Sequence, residues 1–231
     1  MRITSHCLQL SMLISLIPLT MTASESGKVQ TVLCVGDSIT EAEKGWVKQV
    51  GQHASIDTIN AGKGGRRTGT AVETFEAALT NKAPFTRVIF FLGVNDLPAR
   101  DPAPAKKKVN SCVANMEKAI DAALKKFPAK DIILIAPCGV NAEMMRHPPQ
   151  STDTTVPVRC ERNLKKGYDI CQPILEDLET AYRKLAEKKG ILFLSLLKVV
   201  SKDNYMDGLH PNEAGQRQIA EAITPFLLKT P

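Results

Sequence analysis

Thr31-Val32-Leu33-Cys34-Val35-Gly36-Asp37-Ser38-Ile39 is the stretch whose reading decides the fold of this chain. Five apolar or β-branched residues run without a polar break and stop at a glycine. Unbroken apolarity predicts a strand buried on both faces, as in a parallel sheet, and the glycine predicts a tight turn at its end. The first residue past that turn able to do chemistry is Ser38. In open α/β sheets ligands gather at the carboxyl ends of strands, so Ser38 stands where a substrate is expected. A hydroxyl is a weak nucleophile at its own pKa. It needs a base and a group that stabilises an oxyanion.

Further apolar runs at Ile56–Ile59, Val88–Leu92, Ile132–Ala136 and Ile191–Leu194 predict four more strands. Helix-like segments lie between them at Trp46–His53, Ala71–Leu79, Lys106–Phe127, Ile174–Lys189 and Ala214–Leu228. In Val113, Met116, Ile120, Ala123, Leu124 and Phe127 the apolar positions recur at three- and four-residue steps, one face of an amphipathic helix. Strand and helix in alternation, with right-handed crossovers, predict a three-layer α/β/α sandwich around a five-stranded parallel sheet. One segment departs from the pattern. Cys138 to Asp169 carries Pro148-Pro149, Pro157 and a Ser/Thr cluster, and reads as a long loop, either functional or a plain decoration. If functional, it stands beside the substrate, where Arg146 and Arg159 could meet an anionic or sugar-like leaving group.

A chain of 231 residues with 43% hydrophobic content supports one domain, spanning residues 29–231. Residues 1–24 read as a secretory signal peptide: Arg2, an apolar stretch from Leu8 to Met21, then small residues at Thr22, Ala23 and Ser24. The alternative is an uncleaved anchor, but the apolar stretch falls short of the ~20 residues needed to span a bilayer. Export to the periplasm or the extracellular space is therefore expected, with no stable membrane insertion of the mature chain. Of the six cysteines, Cys7 leaves with the signal, so Cys34, Cys112, Cys138, Cys160 and Cys171 remain. Five is odd, so at least one thiol stays free or pairs between chains. A bridge within Cys138, Cys160 and Cys171 is expected, leaving Cys34 as a buried thiol. No metal-ligand spacing occurs. The net charge of +6 is mild and aromatics are 5%, so a nucleic-acid partner is not expected.

The histidines narrow the choice of base. His6 leaves with the signal, His53 ends a helix, and His147 sits beside two prolines. His210 follows the last strand, in Asp207-Gly208-Leu209-His210-Pro211-Asn212. Gly208 lets Asp207 reach back to the ring, where a carboxylate on one nitrogen leaves the other as a base. The plainer reading makes Asp207-Gly208 a turn and Asn212 a helix cap. After the second strand, Asn60-Ala61-Gly62-Lys63-Gly64-Gly65-Arg66-Arg67 is rich in glycine and basic residues, but matches neither phosphate-loop pattern. Its better use is a backbone N–H offered to a ligand. After the third strand, Gly93-Val94-Asn95-Asp96 places a carboxamide donor, or simply a turn.

Singly these signals are weak; their order along the chain resembles the SGNH, or GDSL, hydrolase family. Gly36-Asp37-Ser38 is similar to its first block, Asn60 with Gly65 to its second, Gly93-x-Asn95-Asp96 to its third and Asp207-x-x-His210-Pro211 to its last. The first block here ends in Ile39 where the family has leucine, and no family block matches the segment 138–169. The resemblance implies a flavodoxin-like SGNH fold, with Ser38 as nucleophile, His210 as base and Asp207 as its orienting carboxylate. It implies an oxyanion hole from Ser38 N–H, Gly65 N–H and Asn95, with Gly62 and Gly64 as competitors for the glycine. It implies an esterase needing no metal or organic cofactor and acting on a small-molecule or glycan ester. A carbohydrate O-acetylesterase and a non-catalytic carbohydrate-binding module on the same scaffold are the alternatives.

Overall fold

The computed structural model describes residues 29–228. The run Thr31–Val35 lies within β1 (Gln30–Gly36), followed by β2 (Ile56–Gly62), β3 (Arg87–Phe91), β4 (Ile132–Ala136) and β5 (Leu192–Ser195). All neighbours pair parallel, in the order β2-β1-β3-β4-β5, which bears out the expected sheet. Among the strands the largest boundary difference is at β2. Its ladder with β1 continues through Cys34–Asn60, Val35–Ala61 and Gly36–Gly62. There the partner strand outweighs the low strand propensity of Asn and Gly.

The apolar runs are unbroken because both faces are covered. Leu33, Val35, Val88 and Phe90 pack on the side of α3 (Ala71–Asn81), α4 (Ala105–Leu124) and α7 (Gln172–Lys189). Val32, Cys34, Ile89 and Phe91 face the other way, toward α2 (Trp46–Val50) and α8 (Glu213–Leu228). Each fully buried large side chain, such as Trp46, Phe75 or Phe90, contributes roughly 1.5–3 kcal/mol before its entropy cost.

This strand order places the switch point between β1 and β3, where successive crossovers leave on opposite sides. Ser38 follows β1 directly and Asn95 lies just past β3, so both candidates stand at the same crevice.

The expected long loop at 138–169 is a misreading. It contains α5 (Ala142–Arg146), α6 (Thr155–Lys166) and a 3₁₀ turn at Tyr168–Ile170. Pro157 deceives the eye: it is the third residue of α6, in a first turn whose N–H groups have no partner within the helix. A further element escaped the sequence reading, the single turn α1 (Ser38–Glu41) that begins at the candidate nucleophile. The expected signal at residues 1–24 lies outside the described residues, as do residues 229–231. Among the described residues no helix is long and apolar enough to cross a membrane.

Candidate active site

Ser38 opens α1 because Asp37 caps it, accepting from Ile39 N–H at 3.0 Å. The turn between strand and helix is so tight that a Cβ on Gly36 would fall 2.0 Å from Thr40 Oγ1. Only glycine fits there. Buried Gln216 on α8 accepts from Trp46 N–H at 2.9 Å and donates to the Ile39 carbonyl at 3.1 Å, tying α1 and α2 to the last helix. Ser38 is thereby held half-buried at the carboxyl end of β1.

His210 reaches that serine from 172 residues away, with Nε2 2.9 Å from Ser38 Oγ. Its Nδ1 lies 2.8 Å from Asp207 Oδ2. Asp207 is 0% exposed, and its Oδ1 also accepts from His210 N–H at 2.8 Å and Leu209 N–H at 3.0 Å. Burial alone would raise the Asp207 pKa. The hydrogen bond and charge of His210, with the two backbone N–H groups, outweigh it and hold the carboxylate below its ordinary value. Gly208 makes the bend with φ 78, and a Cβ there would meet Met145 Cγ at 2.5 Å. The plainer reading of this loop also holds, since Asn212 Oδ1 accepts from Gly215 N–H at 3.0 Å at the start of α8. Turn, cap and imidazole-orienting contact coexist. His147 is exposed and faces Glu143, and exposed His53 accepts from Ser55 N–H, so neither of them competes for Ser38.

The glycine loop sorts its own candidates. Gly62 N–H donates to Asn60 Oδ1 at 2.8 Å and Gly64 N–H to Glu41 Oε2 at 2.7 Å. Among the described residues nothing accepts from Gly65 N–H or Ser38 N–H. Arg66 turns inward. Its Nη1 donates to the Gly36 carbonyl at 3.2 Å and to the Ala61 carbonyl, fastening the loop to the ends of β1 and β2. Asp96 holds the far end, accepting from Thr68 N–H at 3.0 Å and Thr68 Oγ1 at 2.9 Å. Asn95 donates to the Arg66 carbonyl at 3.1 Å, and its Oδ1 lies 3.2 Å from Tyr168 Oη.

Tyr168 and Asn163 are the partners that sequence reasoning missed. Tyr168 touches the Asn95 carboxamide, and buried Asn163 on α6 donates to the Asp207 carbonyl at 3.2 Å. Asn141, at the head of α5, donates its N–H to the Gly208 carbonyl at 2.8 Å. The segment that read as a loop thus braces both the loop carrying Asp207 and His210 and the Asn95 carboxamide. Arg146, expected to face a leaving group, is paired with buried Asp169, with Nη2 to Oδ2 at 3.1 Å.

The expected bridge among Cys138, Cys160 and Cys171 does not form; all five described cysteines are buried free thiols. Cys138 packs in the core on the α2 and α8 side and Cys171 in the core on the other, so the sheet separates them. Burial pushes Cys112 and Cys171 up to about 12, and Cys34 and Cys138 further still, which keeps them protonated. Among the described residues no group of three or more His, Cys, Asp or Glu is placed to hold a metal ion.

The sequence model of the GDSL-like lipase/acylhydrolase family matches residues 34–218. No curated protein sequence matches the chain. Among solved structures, the aryl esterase of M. smegmatis superposes with TM-score 0.64 at 18% identity, over 88% of this chain and 100% of that one. A carbohydrate acetylesterase from Sinorhizobium meliloti gives 0.64 at 18% identity, over 86% and 98%. A lipolytic G-D-S-L protein from Veillonella parvula gives 0.62 at 18% identity, over 87% and 100%. At that identity the likeness is one of fold.

Proposed function

The chain belongs to the GDSL-like lipase/acylhydrolase family, and on that footing we propose that it cleaves carboxylic esters through an acyl-enzyme on Ser38. The observation that carries this reading is the continuous contact from Ser38 Oγ to His210 Nε2 and from His210 Nδ1 to Asp207, 2.9 and 2.8 Å. His210 takes the Ser38 proton as Oγ attacks the acyl carbon, and Asp207 stabilises the imidazolium. Negative charge develops on the former carbonyl oxygen. Ser38 N–H, Gly65 N–H and the second Asn95 amide hydrogen are the donors offered to it. Collapse expels the alcohol, which receives the proton from His210. Water activated by the same ring then attacks the acyl carbon and frees Ser38.

The deciding measurement is turnover of 4-nitrophenyl acetate by the purified protein, beside Ser38→Ala. Hydrolysis that depends on Ser38 supports the proposal; hydrolysis unaffected by the substitution removes it. Export is part of the same proposal, with residues 1–24 as the signal. An intact N-terminus on protein recovered from cells would exclude that part.

A further inference from the structure

A cavity of about 350 Å³ opens beside the donors assigned to the oxyanion. Gly65, Asn95 and Tyr168 form its inner wall. Its outer wall carries Arg67, Arg100, Lys165 and Lys166 against one carboxylate, Asp101. We infer that this cavity is a subsite for an anionic group, so that the preferred ester carries a carboxylate or phosphate within a few bonds of its carbonyl. The inference rests on the hydrolase reading above and names the substrate class for that site.

The four cations come from three separate elements: the loop after β2, the segment after β3 and the end of α6. A helix C-terminus accounts for Lys165 and Lys166, which complement the negative end of α6. It does not account for Arg67 or Arg100. Lys165 is neutralised by Glu161 at 2.7 Å, and Asp101 Oδ1 caps Ala103 N–H at 3.0 Å. Among the described residues no carboxylate lies within 4.0 Å of Arg67, Arg100 or Lys166. The backbones of Arg100 and Lys166 are tied to each other. Arg100 N–H donates to the Lys166 carbonyl at 3.3 Å, and a Cβ on Gly167 would come 2.7 Å from Arg100 Cγ. Like charges gathered in a concave wall raise the local potential for an anion. Arginine pairs present planar forks that match carboxylate and phosphate oxygens.

An ester seated with its carbonyl oxygen at Gly65 and Asn95 has this wall beside it, within reach of one of its halves. The anion then belongs either to the acyl half or to the alcohol half, and the two sources are separable. For the acyl half, mono-4-nitrophenyl glutarate is compared with 4-nitrophenyl butyrate. For the alcohol half, acetylglycolate is compared with its methyl ester. In each pair the ratio of kcat/KM, anionic over neutral, is measured for the wild type, Arg67→Gln, Arg100→Gln and Lys48→Gln. Lys48, an exposed cation on α2, controls for net charge.

One pair is expected to favour the anion, and each arginine substitution to cut that preference roughly three- to tenfold, as for a partly screened ion pair. Raising salt to about 0.5 M is expected to shrink the preference in the wild type, because exposed charges are screened beyond a few ångströms there. Lys48→Gln is expected to leave the ratio unchanged. Ser38-dependent hydrolysis with no anionic preference in either pair, or with a preference insensitive to both arginines, overturns the subsite and leaves the hydrolase reading standing. No Ser38-dependent hydrolysis of any of the four esters removes the hydrolase reading and the subsite with it.

Discussion

Tyr168 Oη and Asn95 Oδ1 stand 3.2 Å apart, and this contact, with the Arg66 carbonyl on the other side, sets which way the carboxamide faces. The Arg66 carbonyl, 3.1 Å from Asn95 Nδ2, can only accept, so the amide nitrogen must point to it. The oxygen then faces Tyr168, whose hydroxyl donates. Burial raises the tyrosine pKa, so it remains a donor throughout the usable pH range. Asn95 is left with one amide hydrogen that no described residue accepts, and the residue lines the same cavity as Gly65.

Removing Asn95 is expected to lower kcat by about 10²–10³ with little change in KM, since its donor acts on charge present only in the transition state. Tyr168→Phe leaves the carboxamide oxygen without its partner and is expected to lower kcat about tenfold. The two effects are coupled, so Tyr168→Phe made in an Asn95→Ala background is expected to add almost nothing. Full additivity of the two in a double-mutant cycle would mean that Tyr168 acts on stability alone.

Ser38→Ala and His210→Ala are each expected to reduce kcat by about three orders of magnitude or more, and the double variant no further than either. Steady-state kinetics on 4-nitrophenyl acetate decide this. Retained activity in His210→Ala would leave the 2.9 Å contact without a catalytic role.

Asp37 governs a pH dependence of stability. It is 2% exposed, and burial lifts its pKa from 3.8 to about 6 against the Ile39 N–H bond and the His210 charge; nearby Asp96 lifts it further. Between those values the folded state binds more protons than the unfolded, so this group lowers stability as pH rises. The loss is complete above about pH 6 and on the order of 3 kcal/mol. Asn cannot ionise and keeps the oxygen that accepts from Ile39. Asp37→Asn is therefore expected to be more stable than wild type at pH 8 and nearly equal to it at pH 4, by urea denaturation. Equal stability of the two proteins at both pH values would contradict the buried carboxylate.

The insert is expected to be structural. Shortening it between Met144 and Arg159 removes the start of α6, up to five of its twelve residues, and is expected to depress turnover of every ester rather than re-rank substrates. Asn163→Ala is expected to cost about 1–3 kcal/mol by leaving the buried Asp207 carbonyl short of a donor. Re-ranking with small-ester turnover intact would restore the reading of this segment as a specificity loop.

Thiol titration tests the cysteine arrangement. Unreduced, denatured protein lacking residues 1–24 is expected to release all five thiols and the native protein few of them, because all five are buried. A count of three in the denatured protein would demand one bridge.

The sheet was legible because its rule is local: a strand buried on both faces writes itself as an unbroken apolar run, as in Ile132–Ala136. The same locality made Asp207 and His210 readable as a pair, since three residues and one glycine suffice to bring them together. Pro157, Pro148 and the polar surface of α6 concealed a helix, because its stability comes from the neighbours that Cys160, Asn163 and Tyr168 bury against. Sequence order could line up Ser38, Gly65, Asn95 and His210 at one sheet edge but could not say what held them. The inward turn of Arg66, the hydroxyl of Tyr168 on Asn95 and the brace from Asn163 join residues many positions apart. Such pairs form where packing brings distant segments together and leaves their polar groups to satisfy one another, and that is decided by the tertiary structure.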